Sequence, residues 1–316
     1  MPPIQTLPVT RADVDAAWEV IRPHVRRTPV IEVVAADLGL AGAPVALKLE
    51  FLQHTGSFKA RGAMLNLLTR AVPPAGVAAA SGGNHGAAVA WAAARAGVPA
   101  NIFVPAISSP AKIARIESYG ATLHLGGAAY VEALAACEAF QAETGAIGIH
   151  AYDAKETLAG QGTTAREFAE DAPVDTILVA TGGGGLIGGM AAWAEGRPKI
   201  VSVEPETSAC LHAALAAGRP VDVEVSGLAV DSLGARRAGT LVFEVARAHV
   251  AAAVLVPEDA IRAARALLWD ALRIVTEPGG ATALAGLLSG AYRPAPGERV
   301  GVLLCGANTG AVSFDG

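Results

Sequence analysis

The sequence predicts an α/β fold of open, twisted, mostly parallel sheets, and two observations predict it. Short apolar runs of strand character alternate with alanine-rich helical patterns along almost the whole chain, an order typical of parallel strands with helical crossovers. Several runs end in glycines and small polar residues, as strands do where they pass into ligand-binding turns. At 316 residues, the chain is long enough for about two domains.

The strands are expected where Val, Ile, Leu and Ala dominate short runs bounded by glycine or polar residues. These runs are 45–50, 76–81, 100–104, 122–125, 176–181, 200–204 and 300–305. The helices are expected where alanine and leucine recur at helical spacing between those runs. These segments are 58–70, 85–96, 109–119, 130–143, 160–170, 186–193 and 258–272. No repeat or low-complexity linker interrupts the alternation, so a domain boundary is expected to be a crossing of the chain.

Composition narrows the class of protein. With 52% apolar and only 17% charged residues, the chain has ample surface to bury and is not a disordered protein. A net charge of −5 without a basic run argues against nucleic acid or an anionic membrane as partner. The three cysteines, Cys137, Cys210 and Cys305, form no CxxC, so neither a disulfide scaffold nor a zinc ribbon is expected.

Location and assembly follow from the same features. The longest uncharged stretches contain glycine turns, so they read as strand–turn–helix units and not as membrane spans. The first ten residues show no basic region followed by an apolar stretch, so no secretory signal is visible and a cytoplasmic protein is expected. The low charge content favours an oligomer, and a homodimer is expected.

A run of glycines follows the predicted strand 176–181 and opens a helix. The segment 181–189 reads TGGGGLIGG, and residues without Cβ let successive backbone N–H groups converge on an anion at the positive end of the helix. A phosphate is the natural ligand. The run also contains GxGxxG with Glu204 following, as a dinucleotide site would require. A close strand–helix turn without a ligand is the structural alternative.

Lys59 lies at the start of a predicted helix, in the segment TGSFKARGA at 55–63. Thr55 or Ser57 is expected to be the N-cap. A cation in the first turn opposes the helix dipole, and the dipole and burial both favour the neutral amine, which is the form that attacks a carbonyl. Lys59 is therefore a candidate nucleophile, although an exposed lysine at a helix start is the simpler alternative.

A third polar turn, SGGNHG at 81–86, follows the predicted strand 76–81 and precedes a helix. Its donors and the first N–H groups of the helix are suited to a carboxylate. A glycine turn with Ser81 or Asn84 as the N-cap explains the pattern equally well.

Together, a phosphate cradle, an amine with a lowered pKa and a carboxylate cradle suit an aldehyde cofactor that bears a phosphate, with an amino acid as substrate. The motifs resemble those of the fold type II (tryptophan synthase β-like) pyridoxal-phosphate enzymes, in particular the serine/threonine dehydratase (threonine ammonia-lyase) and serine racemase family. Beyond the three turns, the matching segments are KLE at 48–50, YGA at 119–121, GQGT at 160–163, VEP at 203–205, EP at 277–278 and CGAN at 305–308.

The resemblance implies two α/β domains with the active site between them. The large cofactor-binding domain would comprise residues 1–71 and 149–316, and the small mobile domain residues 72–148. Lys59 would hold pyridoxal 5′-phosphate covalently and move the Cα proton, Phe58 would pack beside the ring, and Cys305 would face the pyridine nitrogen. The cofactor phosphate would be held by the backbone N–H groups of Gly182, Gly183, Gly184, Gly185 and Leu186.

The substrate side of the site is implied in the same way. Ser81, Asn84 and His85 would hold the substrate carboxylate, and Asn84 would also bind the ring hydroxyl. Because a neutral thiol at Cys305 does not keep the ring nitrogen protonated, chemistry in which a leaving group departs with the Cα proton is favoured. The expected reaction is α,β-elimination, which converts L-threonine or L-serine to a 2-keto acid and ammonia. Alternatives are a dehydratase of 3-hydroxyaspartate or 3-phenylserine and a serine racemase.

Three departures from the family pattern bear on these expectations. Gly82 stands where serine racemases carry a second serine, the base on the opposite face, so racemisation should be poor. Cys210 replaces the aspartate of the family's divalent cation site, so no metal is expected. The segment 231–237, DSLGARR, replaces the usual run there and either shapes the substrate pocket or forms a surface loop.

Two further functions remain open from the sequence. A nicotinamide-dependent dehydrogenase would use the GxGxxG run and Glu204, but it leaves Lys59 and the SGGNHG turn unexplained. A non-catalytic binding protein on a decayed enzyme scaffold is disfavoured by the intact Lys59 and the four glycines.

Overall fold

The computed structural model describes residues 7–106, 108, 110–127 and 130–312. It is an α/β structure with two sheets, which confirms the predicted fold class. Its strands are β1 (Val30–Val33), β2 (Val45–Lys48), β3 (Val77–Ala80), β4 (Ala100–Val104), β5 (Thr122–Leu125), β6 (Ile147–Gly148), β7 (Thr176–Ala180), β8 (Lys199–Pro205), β9 (Val250–Val256) and β10 (Val300–Leu303).

Helices cover the faces of both sheets. They are α1 (Arg11–Ile21), α2 (Lys59–Thr69), α3 (Asn84–Ala96), α4 (Pro110–Glu117), α5 (Tyr130–Thr144), α6 (Lys155–Asp171), α7 (Gly185–Ala194), α8 (Cys210–Ala217), α9 (Val230–Leu233), α10 (Thr240–His249), α11 (Glu258–Leu272) and α12 (Pro278–Leu288). In the described part of the chain, no helix has the length and apolar character needed to cross a bilayer.

The larger sheet has six strands in the order β1-β2-β10-β7-β8-β9, and the smaller has four in the order β5-β4-β3-β6. All pairs are parallel except β1 with β2. The carboxyl ends of parallel strands share one edge, which places the turns after β3, β7 and β10 at sheet edges. The strands of the smaller sheet lie between Val77 and Gly148, inside the segment expected to form the small domain.

The predicted strands are present within two residues of their expected ends. The main error in a predicted helix is α6, which begins at Lys155 and not at residue 160. The predicted first residue of α4, Ser109, lies outside the described residues. Three strands and four helices of more than four residues were missed, namely β1, β6, β9, α1, α8, α10 and α12. One had a clear signal, because Thr10 and Asp13 form a capping box at the start of α1.

A buried cluster of charges anchors the helix that carries Lys59. Lys48 on β2 donates to the Glu167 carboxylate on α6 at 2.6 Å, and both side chains are fully buried. Arg61 on α2, also fully buried, donates to Glu50 at 2.7 Å and to Glu167 at 3.1 Å. The two cations and two carboxylates therefore neutralise one another inside the large-sheet core, which is the condition for burying charge. Since Arg61 lies two residues after Lys59, the cluster fixes the first turn of α2.

Candidate active site

Lys59 is the first residue of α2, but the expected N-cap is wrong. The N-cap is Phe58, and no side chain caps the helix. Ser57 instead forms an isolated bridge to Gly306, and the Phe58 N–H donates to the Cys305 carbonyl at 3.1 Å. Ser57 is thus held in an extended conformation against the segment that follows β10, after a 3-10 turn at His54–Gly56, and neither hydroxyl residue caps the helix.

The Lys59 amine is enclosed and held in one direction. Its Nζ donates to the Ala151 carbonyl at 2.6 Å and lies 5.1 Å from the centre of the Phe58 ring. Burial lowers the pKa of Lys59 to about 8, against a partial opposing effect of Cys305 and Glu277. The predicted lowering of this pKa is therefore present in the structure, and its dominant cause is burial.

The four glycines form a bare backbone turn between β7 and α7. Gly184 has a φ of +93°, which side-chain-bearing residues rarely adopt. A Cβ on Gly183 would lie 2.4 Å from the Tyr152 ring, and a Cβ on Gly182 would lie 2.9 Å from the Leu233 Cα. In the described structure, the N–H groups of residues 182–186 donate to no protein acceptor. These donors at a helix N-terminus suit a phosphate.

One short segment joins the amine to the glycine turn. Ala151 accepts the Lys59 hydrogen bond, and the next residue, Tyr152, packs against Gly183 and Gly185. Tyr152 was not anticipated, because the sequence around it, HAYDAK, carries no motif. The segment places the amine and the phosphate-type cradle side by side, as a phosphorylated aldehyde requires.

The SGGNHG turn lies at the end of β3. Its Gly83 N–H donates to the Ser81 hydroxyl at 3.2 Å, and Gly83 is the N-cap of α3. The His85 ring is buried and contacts the Ile149 carbonyl through Nε2 at 2.8 Å. Burial lowers the pKa of His85 to about 3, and the nearby Lys59 adds to the effect. His85 is therefore a neutral imidazole and brings no positive charge to the turn.

A chain of hydrogen bonds links this turn to the large sheet. The Asn84 Nδ2 donates to Glu277 at 2.7 Å, and the Asn308 Nδ2 donates to the Asn84 Oδ1 at 2.5 Å. Arg115 on α4 donates to the Asn308 Oδ1, and Asn308 also donates to the Thr55 carbonyl at 2.8 Å. Burial raises the pKa of Glu277 to about 7, although hydrogen bonds from Asn84 and Asn308 oppose the shift.

Glu277 combines two roles. It is the N-cap residue of α12, and its carboxyl group contacts Asn84 in the site. Arg115 and Asn308 were not anticipated as site residues. Asn308 had a signal in its place within the CGAN segment after β10, whereas Arg115 had none, since it lies in the middle of an ordinary amphipathic helix.

Cys305 lies at the end of β10 with its thiol buried. Its Sγ is 3.6 Å from the Gly279 carbonyl. Burial raises the pKa of Cys305 above its ordinary value, and Glu277 adds to the effect. The thiol therefore stays protonated and neutral, as expected from the sequence.

Glu204 is not available to a dinucleotide. Its carboxylate is fully buried and accepts the N–H groups of Leu211 at 2.8 Å and His212 at 2.9 Å, which caps the start of α8. Burial raises its pKa to about 7. The neighbouring Cys210 donates its thiol to the Gly182 carbonyl at 3.2 Å. The GxGxxG alternative therefore lacks its acidic residue.

A cleft of about 500 Å³ lies between the two sheets. Its walls include Gly83 and Asn84 on one side, and Asp231, Ser232 and Glu277 on the other. The segment 231–237 divides, because its first two residues line the cleft and its two arginines are exposed. Part of the segment thus faces the cleft and part faces solvent, and its role at the substrate stays a prediction.

The two sheets, the buried lysine between them and the bare glycine turn define a fold type II pyridoxal-phosphate enzyme. The chain belongs to the pyridoxal-phosphate dependent enzyme family, whose model matches residues 21–306. The predicted resemblance and the predicted cofactor, pyridoxal 5′-phosphate, are thereby confirmed.

Similar proteins of known activity indicate which group within this family the chain belongs to. The chain is 37% identical to phenylserine dehydratase of Ralstonia pickettii, over 93% of this chain and 91% of the relative. It is 38% identical to L-threonine ammonia-lyase of Geobacter sulfurreducens, over 90% and 72%. The structure of maize serine racemase superposes with a TM-score of 0.90 at 31% identity, covering 96% of this chain and 94% of that one. The chain is therefore a member of the β-hydroxy amino acid dehydratase and racemase group.

Gly184→Ala is expected to weaken cofactor affinity at least about tenfold. Alanine is strained at the +93° φ of this position, and its Cβ would lie 2.4 Å from the Val242 side chain. Equilibrium titration of the cofactor-free protein measures this. Gly218→Ala is the matched control, since Gly218 has a φ of +68° with nothing within 4 Å of a Cβ. It should lower stability by about 1–2 kcal/mol and leave cofactor affinity unchanged. Equal losses of affinity in both variants would contradict the cradle.

Proposed function

We propose that this enzyme dehydrates L-serine or L-threonine by α,β-elimination at Lys59, releasing a 2-keto acid and ammonia. The observation that carries the proposal is the enclosed Lys59 amine, with a pKa of about 8, beside a glycine turn whose N–H groups find no acceptor among the described residues. The relatives named as L-threonine ammonia-lyase and phenylserine dehydratase support this reaction class.

Each group in the site has a place in the reaction. When bound, pyridoxal 5′-phosphate withdraws electrons from Cα and so acidifies its proton. Lys59 would remove that proton, Phe58 would pack beside the ring, and the N–H groups of residues 182–186 would hold the phosphate. The neutral Cys305 thiol would lie at the ring nitrogen without supplying a charge, which would favour prompt loss of the β-hydroxyl.

The substrate carboxylate is proposed to lie at the SGGNHG turn. Ser81, Asn84 and the His85 N–H supply donors at the N-terminus of α3, where the helix dipole favours an anion. Asn84 would also donate to the cofactor ring hydroxyl. The small domain 72–148 is proposed to move against 1–71 and 149–316 and to close the cleft over the substrate.

The test is a keto-acid release screen over serine, threonine, 3-hydroxyaspartate and 3-phenylserine. The purified protein should be yellow, and borohydride should fix the cofactor on the peptide that contains Lys59. Keto acid from serine or threonine is the expected result. Release from 3-hydroxyaspartate or 3-phenylserine alone would replace serine and threonine as the proposed substrates. A yellow protein that releases no keto acid from any of the four would overturn the proposal.

Racemisation is expected to be negligible. Gly82 offers no hydroxyl, and a Cβ there would lie 2.6 Å from the Ser108 Oγ and 2.9 Å from the Val104 side chain. Chiral chromatography of L-serine reactions should therefore show D-serine at background level. Efficient D-serine production by the native enzyme would contradict this expectation.

Cofactor capture should depend on pH through Lys59. With a pKa of about 8, about one amine in ten is neutral at pH 7, against about three in ten thousand for an ordinary lysine. Because the neutral amine attacks the aldehyde, the capture rate of the cofactor-free protein should rise with pH and level off above about 8. Stopped-flow absorbance measures this, and a rate still rising steeply near pH 10 would refute it.

A cytoplasmic homodimer is proposed as the working form. The support is compositional, since only 17% of residues are charged and little polar surface is available to cover a monomer. Light scattering on the size-exclusion peak decides the assembly, and a monomeric mass in the active enzyme would reject it.

A further inference from the structure

We propose that Arg115 is a positioning residue that fixes which end of the Asn84 amide faces the cofactor. The inference rests on the proposed role of Asn84 at the ring hydroxyl. It extends that role to a residue on a different helix, α4, which has no place in the proposed reaction.

Arg115 can only donate hydrogen bonds. A guanidinium carries N–H donors and no acceptor, so the atom of Asn308 that Arg115 contacts must be the carbonyl oxygen, Oδ1. The Asn308 amide nitrogen then lies on the opposite side. There it donates to the Thr55 carbonyl at 2.8 Å and to the Asn84 Oδ1 at 2.5 Å. Both hydrogens of the Asn308 amide are thereby used.

The orientation of the Asn308 amide in turn determines that of the Asn84 amide. Because the Asn84 Oδ1 accepts from Asn308, its Nδ2 lies on the other side and donates to Glu277 at 2.7 Å. An amide nitrogen has two hydrogens, so Asn84 keeps one N–H for an acceptor in the site, such as the ring oxygen of the cofactor. A flipped Asn84 would set its NH₂ against that of Asn308 and offer an oxygen where a donor is needed.

Glu277, at the other end of this series of hydrogen bonds, does not fix the orientation of the Asn84 amide. With a pKa raised to about 7 by burial, its carboxyl group is part protonated near neutrality, and a protonated carboxyl group donates as well as accepts. The guanidinium of Arg115 stays charged at every relevant pH. Arg115, a permanent donor, and the Thr55 carbonyl, a permanent acceptor, therefore fix the orientation of the Asn308 amide together, and Glu277 follows it.

The chain of bonds also crosses the cleft. Arg115 on α4 and Asn84 on α3 belong to helices that accompany the smaller sheet, whereas Asn308, Thr55 and Glu277 lie in segments that accompany the larger sheet. The Asn84 amide is consequently oriented by contacts from both sides of the cleft, so this orientation depends on contact between the two sides.

The experiment compares Arg115→Met and Arg115→Lys with Lys112→Ala. Lys112 lies one turn earlier on α4 and also reaches the larger sheet, through Asp231 at 2.8 Å, but it takes no part in the amide chain. The first readout is the side-chain amide ¹H–¹⁵N signals of Asn84 and Asn308 in cofactor-free protein. The second is the dissociation constant of pyridoxal 5′-phosphate.

In Arg115→Met, both amide signals should shift toward those of freely rotating asparagines, and cofactor affinity should fall by about fivefold to tenfold, as for one lost hydrogen bond. Arg115→Lys restores a donor and should recover both readouts. Lys112→Ala should leave the amide signals unchanged. Unchanged amide signals in Arg115→Met, or the same shifts in Lys112→Ala, would overturn the inference.

A second variant guards against a folding defect in Arg115→Met. Asn308→Asp keeps the acceptor for Arg115 but removes the donor to Asn84, so the Asn84 signals should shift as they do in Arg115→Met. An unshifted Asn84 in a folded Asn308→Asp protein would also overturn the inference. If Asn84→Ala leaves cofactor affinity unchanged, the proposed role of Asn84 fails, whereas the amide signals still decide the polarity.

Discussion

Replacing Lys59 with alanine is expected to reduce keto-acid release at least about a thousandfold, because the variant loses both the covalent anchor and the base for the Cα proton. The fold should survive. The amine makes one hydrogen bond, to the Ala151 carbonyl, and alanine removes a cation that burial already disfavours. Steady-state rates of keto-acid formation and the thermal unfolding midpoint measure the two effects separately.

Three controls sharpen this prediction. Lys155→Ala removes an exposed lysine paired with Asp13 at 2.9 Å, and it should leave the rate unchanged. Lys59→Arg keeps a positive charge without a primary amine, and it should be as inactive as Lys59→Ala. A small primary amine added to Lys59→Ala should restore part of the rate. A Lys59→Ala enzyme with more than about a tenth of the native rate would remove Lys59 from the reaction.

The strand-end motifs could be predicted because each is local. Lys59, the SGGNHG turn and the four glycines are contiguous in sequence, and the alternation of strands and helices places each of them at a strand end. The lowered pKa of Lys59 was predicted from burial and the helix dipole, and in the structure burial is its largest cause. The neutral state of His85 could not be predicted locally, since it depends on burial by surrounding segments and on the nearby Lys59.

The rest of the site depends on contacts between distant segments. Arg115 meets Asn308 across 193 residues of sequence, and Tyr152 meets the glycine turn from a segment without a motif. The wrong N-cap at Thr55 or Ser57 has a similar origin. Local propensity favours a hydroxyl cap, but pairing with Gly306 takes the backbone of Ser57 away from the helix. Tertiary contacts therefore determine these site residues and the N-cap of α2, which local sequence patterns do not predict.

The same contrast explains the elements that were missed. The signal of β9 is weak, because VAAAVLV suits a helix as well as a strand, and only its pairing with β8 makes it a strand. The strand β6 has two residues, too few for a period to be visible. The capping box of α1, by contrast, is a local signal that sequence inspection could have used.

Lys48→Met is expected to destabilise the fold by about 3–5 kcal/mol, because it removes one partner from a buried charge cluster. The fully buried Nζ donates to Glu167 at 2.6 Å, to Asp171 at 3.0 Å and to the Thr28 carbonyl at 2.7 Å. Without Lys48, Arg61 is the remaining cation that donates to Glu167 in the described structure, and Glu50 already neutralises it. Urea denaturation at pH 7 should show a lower midpoint with an unchanged slope.

The matched control is Arg299→Met. Arg299 pairs with Asp175 at 2.7 Å, about the same length, but the two side chains are 52% and 43% exposed. An exposed pair contributes about 0–1 kcal/mol, so this variant should unfold close to the native midpoint. Equal shifts in the two variants would show that burial of the Lys48 cluster adds nothing to its effect.

The pH dependence of the Lys48→Met defect gives an independent check. Burial alone would raise the pKa of Glu167, but Arg61 and Lys48 hold it below the ordinary value of 4.5. A carboxyl group with a lowered folded-state pKa stabilises the fold above its unfolded-state pKa and loses that contribution as pH falls through the folded-state pKa. The difference between native and Lys48→Met unfolding free energies should therefore be full near pH 7 and shrink below about pH 4.5. A defect independent of pH would mean that Lys48 acts through packing of its carbon chain and not through its charge.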